Sequence, residues 1–187
     1  CRFARTYKEE KSNSEKCPKC NLMLERANAV EIGHIFQLGT KYTAALGAQF
    51  LDAQGKLHPI IMGCYGIGVS RLISTIIEQN HDAAGIIWPQ EVSPYLVIVV
   101  PLDVTDSAII AKAAEVYQQL QKRGINVLLD DRNERAGVKF KDADLLGIPF
   151  QVVIGKEFLK NGTLELKSRR ENLKFLGSQE ELFARIS

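Results

Sequence analysis

The strongest constraint on the fold is an alternation of apolar patterns in the second half of the chain. Residues 96–100 are a mostly β-branched run, which suits a strand that is buried on both faces. A helical pattern follows, with apolar residues from Ile109 to Leu120 on one face, and strand and helix patterns then alternate up to Ile154. Because strands that alternate with helices usually pair in parallel, this half is predicted to be an α/β domain.

Residue types at the ends of the predicted elements support this interpretation. Asp106 can cap the first helix, and Gly124 fits the C′ position after it. Residues 163–167 alternate polar with apolar, as a half-exposed strand does. Ser178 and Glu181 form a capping box for a last helix that ends near the C-terminus.

The first half of the chain has a different pattern. Three short apolar stretches are separated by turn-forming residues and resemble antiparallel strands: residues 30–38, 48–52 and 59–62. Apolar residues then recur at helical spacing from Val69 to Ile77, which predicts a helix that ends near Asn80. Prolines in residues 88–94 indicate a linker, because proline disfavours helix at itself and at the preceding residue.

Composition excludes several classes of protein. The 187 residues are 45% hydrophobic, enough for one large domain or two small ones. The net charge is only +2, from 24 Lys and Arg against 22 Asp and Glu, so any contact with a polyanion must be local. The apolar runs are too short to span a bilayer, and four cysteines do not suggest a disulfide framework. We therefore expect a soluble protein in the reducing cytoplasm.

A glycine-rich turn, residues 63–71, lies between a predicted strand and the predicted helix. A dinucleotide fingerprint needs glycine where Arg71 stands, and a phosphate loop needs lysine where Val69 stands, so neither motif is present. The turn still lets backbone approach a ligand closely, and the arginine after it can hold a phosphate with two hydrogen bonds. The alternative is that the glycines serve packing and that Arg71 forms a surface ion pair.

Two long segments resemble one enzyme family. Residues 63–71 (GCYGIGVSR) resemble motif 3 of a class II aminoacyl-tRNA synthetase, and residues 31–42 (EIGHIFQLGTKY) resemble the preceding active-site strand of the bacterial-type prolyl-tRNA synthetase. Later segments are similar to the linker and the anticodon-binding domain of that family: residues 85–89, 129–132 and 137–149. The resemblance runs from about Cys17 to the C-terminus.

The resemblance implies an α/β chain in three parts, the second α+β in character. Residues 1–28 would be an arm or a remnant of an upstream insertion domain. Residues 29–92 would be the C-terminal part of the class II catalytic domain, with antiparallel strands and the motif 3 helix. Residues 93–187 would be an anticodon-binding domain built on a mixed sheet.

The resemblance also implies a proline–tRNA ligase, which uses ATP and Mg²⁺ to form prolyl-adenylate and then transfers the prolyl group to tRNA(Pro). This chemistry needs positioning and charge neutralisation more than protein acids or bases, because the substrate carboxylate is already the nucleophile. Arg71 would be the catalytic residue, on the γ-phosphate side of ATP. The other residues expected beside ATP or the adenylate are Gln37, Gly39, Thr40, Gly66 and Gly68.

Two further residues would line the proline pocket by the same resemblance. Cys64 offers a small, polarisable wall to a pyrrolidine ring, and an ordinary buried cysteine is the alternative. His34 would lie near proline, and a hydrogen-bonded structural histidine is the alternative.

Four cations of the second domain are expected to bind the anticodon: Arg132, Arg135, Lys139 and Lys141. They flank a predicted loop and helix start, where such side chains can hydrogen-bond guanine edges in single-stranded RNA. Carboxylates interleave with them, which favours base reading over general electrostatic adhesion. A solvated, salt-bridged loop is the alternative.

Cys17 and Cys20 form a CxxC motif that could offer two thiolates to zinc. A structural zinc site needs four ligands and no second pair is present, so Cys1 and Cys64 could contribute only through a coincidence of the fold. We therefore expect no metal site here, and a vestigial knuckle or a plain turn instead.

No segment resembles motif 1, the dimer interface of the family, or motif 2, whose arginine binds the α-phosphate. We therefore expect the chain to be the C-terminal half of the synthetase, unable to activate proline alone, and we expect a homodimer for the full-length enzyme and no membrane association. Two alternatives stay open, a noncatalytic RNA-binding or regulatory paralogue and a small zinc-binding adaptor. The intact glycine pattern with Arg71 weighs against the paralogue.

Overall fold

The computed structural model describes residue 1 and residues 16–186, and the chain forms two compact units, Cys1–Val69 and Ser70–Ser187. We call them the N-terminal unit and the C-terminal unit. The described elements of the N-terminal unit are β1 (Gly33–Gly39), α1 (Lys41–Ala45), β2 (Gln49–Leu51), β3 (Leu57–Pro59) and β4 (Met62–Ile67).

The strands of the N-terminal unit pair antiparallel, as the sequence predicts. Strand β1 pairs with β4 in a register that runs from Gly33 opposite Ile67 to Gln37 opposite Gly63, and β2 pairs with β3 in a separate hairpin. The prediction of one strand over residues 59–62 is wrong, because β3 ends at Pro59, β4 begins at Met62, and Ile60 and Ile61 belong to neither strand. The Ile60 carbonyl accepts a hydrogen bond from the Thr43 hydroxyl (2.6 Å).

Burial in the N-terminal unit is sparse. Among its described residues only Cys17 and Thr43 are buried. Large apolar side chains of the β1–β4 pair face solvent, with Ile35 65% and Tyr65 79% exposed. This unit therefore has little hydrophobic core of its own to stabilise it.

The C-terminal unit contains most of the regular structure. Helix α2 (Val69–Gln79) begins at the boundary between the units. The elements that follow are β5 (His81–Asp82), β6 (Gly85–Ile86), a 3₁₀ turn (Gln90–Val92), β7 (Val97–Pro101), α3 (Ser107–Lys122), β8 (Val127–Leu129), α4 (Ala136–Leu146), β9 (Phe150–Ile154), α5 (Lys156–Asn161), β10 (Leu164–Ser168), β11 (Lys174–Gly177) and α6 (Gln179–Ile186). None of the helices within the described ranges is both long and apolar enough to cross a bilayer.

Five strands form one mixed sheet in the order β11-β10-β9-β7-β8. Strand β7 is parallel to both β8 and β9, whereas β10 is antiparallel to β9 and to β11. The parallel part corresponds to the alternating strand and helix patterns, and the antiparallel part to the later hairpin. The mixed α/β class predicted from the sequence is confirmed.

Helices cover both faces of this sheet. On one face, Val97 and Val99 of β7 pack with α3 and α6 in the larger core cluster. On the other face, Ile98 and Val100 pack with Ala143 of α4. Successive residues of a strand point to opposite faces, so the continuous apolar run at β7 is explained by burial on both sides.

The predicted helix ends are confirmed. The Asp106 carboxylate accepts hydrogen bonds from the backbone N–H groups of Ala108 (2.9 Å) and Ile109 (3.2 Å), which caps α3. Gly124 adopts a left-handed φ of 75° after the helix. At α6, Ser178 donates its backbone N–H to the Glu181 carboxylate (2.8 Å), one half of the predicted capping box.

A short hairpin, β5 with β6, packs against α4 within the C-terminal unit. Arg169 fixes it, because its guanidinium donates to both carboxylate oxygens of Asp82 (2.6 and 2.8 Å) and to the Asp144 carbonyl (3.2 Å). The Arg169 side chain is 7% exposed. This bidentate pair joins residues 87 positions apart, so it anchors the hairpin to the domain.

The Asp82–Arg169 pair predicts a specific dependence of stability on pH. Hydrogen bonds from Arg169 hold the pKa of Asp82 well below its usual range. A carboxyl whose pKa is lower in the folded state stabilises the fold above its unfolded pKa, near 3.9, and loses that contribution as the pH falls below it. Asp82→Asn should therefore lower the melting temperature at pH 7 and lose less further stability between pH 5 and pH 3 than the unsubstituted chain.

Thermal unfolding followed by circular dichroism across that pH range measures the effect. Asp131→Asn, at an exposed carboxylate in the loop after β8, is the matched control and should keep the acid dependence of the unsubstituted chain. Parallel pH profiles for Asp82→Asn and the unsubstituted chain would contradict the role given to the pair.

Candidate functional site

The β1–β4 pair brings together the two residues expected to line a proline pocket. Phe36 lies opposite Cys64, and His34 lies two residues before Phe36, so all three side chains share one face of the two strands. The His34 and Phe36 rings stack with centroids 3.8 Å apart. Cys64 is exposed, so the alternative of a buried core cysteine is wrong. Phe36 is part of this surface, although it is not among the residues that the sequence predicts for the proline pocket.

The residues expected beside the adenylate lie at the other end of β1. Gln37 lies three positions after His34, and an odd spacing along a strand places its side chain on the opposite face. The register shifts between Gln37 and Gly39, as at a β-bulge, and Gly39 has a left-handed φ of 57°. Thr40 is exposed just before α1, and its side chain makes no capping hydrogen bond. The irregularity turns the chain out of the strand at this point.

Glycines occupy position 66 in β4 and position 68 directly after it. A Cβ built on Gly66 would meet only the His34 carbonyl, at an ordinary contact distance of 4.0 Å, so packing within the described chain does not require glycine there. The Gly68 N–H donates to the Ile32 carbonyl (2.8 Å), which extends the pairing one step before α2 begins.

Arg71 is the third residue of α2. Its backbone carbonyl accepts a hydrogen bond from the Thr75 hydroxyl (2.8 Å), while its side chain is exposed. Its guanidinium forms no ion pair with any residue that the structure describes. Arg71 therefore does not form the surface ion pair, with any described residue, that was the alternative interpretation. Its positive charge remains available to an anion.

Lys139 is not at the surface, which corrects its expected place among the RNA-contacting cations. The residue is 1% exposed, and its Nζ donates to the Pro101 carbonyl (2.8 Å) and to the Asp130 carbonyl (3.0 Å). Burial lowers the pKa of Lys139, and the nearby Asp130 carboxylate opposes that shift. A lysine that is 1% exposed and donates to two backbone carbonyls cannot reach a base, so Lys139 supports the loop from inside.

Arg132 is engaged in a salt-bridged loop. Its guanidinium binds the buried Asp130 carboxylate through Nε (2.9 Å) and Nη2 (2.8 Å), and Asp142 through Nη1 (2.8 Å). Hydrogen bonds to Asp130 and Asp142 raise the pKa of Arg132, and the same contact lowers the pKa of Asp130. Arg132 is therefore part of a salt-bridged loop, which was the alternative to contact with RNA. Half of its side chain stays exposed, so one face can still meet a ligand.

Arg135 and Lys141 remain at the surface. Arg135 is the N-cap residue of α4, and Lys141 lies in the middle of that helix. Both are exposed, and their side chains form no ion pair within the described part of the chain. Close by, a groove of about 430 Å³ runs between β8 and α4; its lining includes Leu128, Asp131, Arg132, Asp142 and Leu146.

The three cysteines at the start of the chain lie together. The Cys1 Sγ is 3.4 Å from the Cys17 Sγ and 3.2 Å from the Cys20 Sγ. Burial raises the pKa of the Cys17 thiol, but hydrogen bonds from the backbone of Lys19 and Cys20 lower it more, so the pKa lies below its ordinary value. The sequence predicts that Cys1 joins this motif only through a coincidence of the fold, and the fold does bring it there. Cys64 is not part of the group.

Two family models match the chain. Residues 5–80 match the tRNA synthetase class II core domain (G, H, P, S and T), and residues 96–187 match the anticodon binding domain. A class II core followed by an anticodon-binding domain is the arrangement of a class II aminoacyl-tRNA synthetase.

Several proteins similar to this chain are proline–tRNA ligases. The chain is 46% identical over 172 residues to a proline–tRNA ligase of Heliobacterium modesticaldum, 51% over 172 residues to that of Desulfitobacterium hafniense, and 54% over 155 residues to that of a Thermoanaerobacter species. These matches cover 83–92% of this chain, whereas the chain spans only 27–30% of the length of the relatives. The chain belongs to the prolyl-tRNA synthetase family.

Proposed function

We propose that this chain supplies part of the catalytic domain and the anticodon-binding domain of a proline–tRNA ligase. The observation that carries the proposal is the identity of 46–54% with proteins of that name over most of the chain. The substrates would be proline, ATP and tRNA(Pro), the location the cytoplasm, and the full-length enzyme a homodimer. Residues 29–92 would belong to the catalytic domain and residues 93–187 to the anticodon-binding domain, with residues 1–28 as an arm or insertion-domain remnant.

Arg71 is assigned to the γ-phosphate side of ATP. The assignment is supported by its exposed guanidinium near the start of α2, which forms no ion pair with a described residue and can hold a phosphate through two hydrogen bonds. Side-chain-free positions 66 and 68 would leave room for the nucleotide. The remaining adenylate contacts are assigned to Gln37, Gly39 and Thr40.

Mg²⁺ would accompany the ATP. Magnesium keeps several waters and is commonly bound by substrate phosphates with one or two carboxylates, so it needs no dedicated cage. The ion would share the charge of the phosphates with Arg71.

The proline pocket is assigned to the face of β1 and β4 that carries His34 and Cys64. The stacked ring of Phe36 adds an apolar surface on the same face, which suits a pyrrolidine ring. No nucleophilic role for Cys64 is needed, because the proline carboxylate is itself the nucleophile.

Anticodon contacts are assigned to Arg135 and Lys141, and to the exposed face of Arg132. The first two have exposed side chains at the start and in the middle of α4, and neither forms an ion pair with a residue that the structure describes. Arg132 is oriented by Asp130 and Asp142, which suits a planar group that hydrogen-bonds a base edge. Lys139 is left out of this set because it is buried.

Binding of an isolated anticodon stem-loop tests the proposal. The chain should bind the stem-loop of tRNA(Pro), and Arg135→Ala and Lys141→Ala should each weaken binding by about 1–3 kcal/mol if the residue reads a base. Fluorescence anisotropy with labelled RNA measures this, and a second stem-loop with a different anticodon separates base reading from phosphate contact, which would weaken both RNAs alike.

Lys160→Ala is the matched control, since Lys160 is an exposed lysine on α5, away from the proposed surface, and should leave binding unchanged. Equal affinity of all three variants and the unsubstituted chain would remove Arg135 and Lys141 from the site. Failure of the chain to distinguish the two stem-loops would contradict anticodon reading by this domain.

A further inference from the structure

Three cysteine thiols converge at the start of the N-terminal unit. The Sγ atoms of Cys1, Cys17 and Cys20 all lie within 4.8 Å of one another, and the two distances from Cys1 are 3.4 and 3.2 Å. Cys17 is buried and the other two are exposed. This is the one group of three or more metal-ligating side chains among the residues that the structure describes.

The chain around the CxxC motif forms a tight knuckle. Lys16 pairs with Met23 in an antiparallel bridge, and the Cys17 N–H donates to the Leu22 carbonyl (2.8 Å). Asn21 closes the turn with a left-handed φ of 59°, a conformation that asparagine tolerates better than most residues. The turn thus fixes both sulfurs of the motif at its tip.

Backbone hydrogen bonding supports the sulfur of Cys17. The Lys19 N–H donates to the Cys17 Sγ (3.4 Å). Donors of this kind orient a ligand from outside the first coordination sphere and stabilise its negative charge. The sulfur is therefore held in place by its own turn before any ion binds.

The spacing of the sulfurs fits one zinc ion. Zn²⁺ binds thiolate at about 2.3 Å in tetrahedral geometry, which sets ligand sulfurs roughly 3.8 Å apart. The two distances from Cys1, 3.4 and 3.2 Å, lie a few tenths of an ångström below that value, and the third does not exceed 4.8 Å, so small displacements would complete the geometry. Sulfur ligands also favour zinc over Mg²⁺ or Ca²⁺, which prefer oxygen.

We propose that Cys1, Cys17 and Cys20 bind one Zn²⁺ as thiolates, with a donor outside this set in the fourth position. The ion would link Cys1 to a cysteine sixteen positions further along the chain. A cross-link of this kind matters in the N-terminal unit, where just two of the described residues are buried. Metal binding supplies folding free energy where a hydrophobic core is small.

Metal content and cobalt substitution test the proposal. The chain, purified under anaerobic and reducing conditions, should contain close to one equivalent of zinc by elemental mass spectrometry. Replacement with Co²⁺ should give thiolate-to-cobalt charge-transfer bands and the visible bands of tetrahedral cobalt. Cys1→Ser, Cys17→Ser and Cys20→Ser should each weaken zinc binding at least about 100-fold, the upper end of the loss from removing an outer-shell partner.

Cys64→Ser is the matched control, because Cys64 is an exposed cysteine outside the group. Its zinc content and cobalt spectrum should equal those of the unsubstituted chain. If Cys1→Ser binds zinc as tightly as the unsubstituted chain does, the three-thiolate site is overturned.

A measurement on the unsubstituted chain covers the case in which a serine variant does not fold. Zinc should protect Cys1, Cys17 and Cys20 from alkylation, mapped by peptide mass spectrometry, while Cys64 is labelled with or without the ion. Equal labelling of all four cysteines in both conditions would overturn the proposal. The proposal would also be overturned if the reduced protein bound neither zinc nor cobalt and its cysteines formed a disulfide in air.

Discussion

Gly147→Ala is expected to lower the free energy of unfolding of the C-terminal unit by about 3 kcal/mol, from left-handed strain and overpacking together. Gly147 ends α4 with φ of 73°. A Cβ at this position would overlap the backbone carbonyl of Ile86 and lie 2.7 Å from the Ile86 Cβ. Because β6 backbone cannot move aside as a flexible side chain can, the β5–β6 hairpin would be displaced from α4. Urea unfolding followed by circular dichroism measures the loss.

Gly162→Ala separates the two contributions. Gly162 ends α5 with φ of 74°, almost the same conformation, but a Cβ added there would have no atom within 4 Å. Only the left-handed strain applies at this position, so the cost should be about 1 kcal/mol. If Gly147→Ala and Gly162→Ala lost the same free energy of unfolding, the contact between β6 and α4 would not depend on the absence of a side chain at position 147.

Lys139→Ala is expected to destabilise the same unit by about 3–4 kcal/mol, because it removes a buried cation from its partners. The Pro101 and Asp130 carbonyls would lose their common donor, and the apolar stem of the lysine would leave a void beside Ala143. The buried Asp130 carboxylate would also lose a nearby positive charge. The effect should be seen in urea unfolding and not as a selective loss of RNA affinity.

Two further variants show what Lys139 contributes to stability. Lys139→Met keeps most of the side-chain volume and removes the ammonium, so it should cost less than alanine does. Lys141→Ala, two residues along the same helix and exposed, should change stability by no more than about 0.5 kcal/mol. Full stability in Lys139→Ala, with weakened RNA binding, would restore the residue to the RNA-contacting set.

Local signals in the sequence predict much of the fold. The cap at Asp106, the glycine after α3 and the box at Ser178 each act on backbone only a few residues away, so these residue types alone define where the helices begin and end. The continuous apolar run of β7 likewise identifies a strand covered on both faces. Helix α5 is not predicted, because six residues are too few for an apolar period to emerge.

Contacts between distant residues are not predictable in the same way. The partners Asp82 and Arg169 belong to separate elements, and nothing local in either marks the other. The charge of Lys139 suggests a surface position, although it stands four residues before buried Ala143, a spacing that puts both on one helix face. At the candidate catalytic strands, family resemblance identifies residues, while the face shared by His34 and Cys64 needs the register of β1 with β4.

Two hydrogen bonds of Asn80 hold the C-terminal end of α2 in place. The Asn80 side chain donates to the Ile76 carbonyl in the last turn of the helix (2.9 Å) and accepts from the Arg170 guanidinium (3.0 Å), next to the Arg169 anchor. The helix that begins with Arg71 in its first turn is therefore fixed at its far end to the loop between β10 and β11. The two Asn80 hydrogen bonds therefore tie the orientation of α2, and with it the place of the Arg71 backbone, to the loop between β10 and β11.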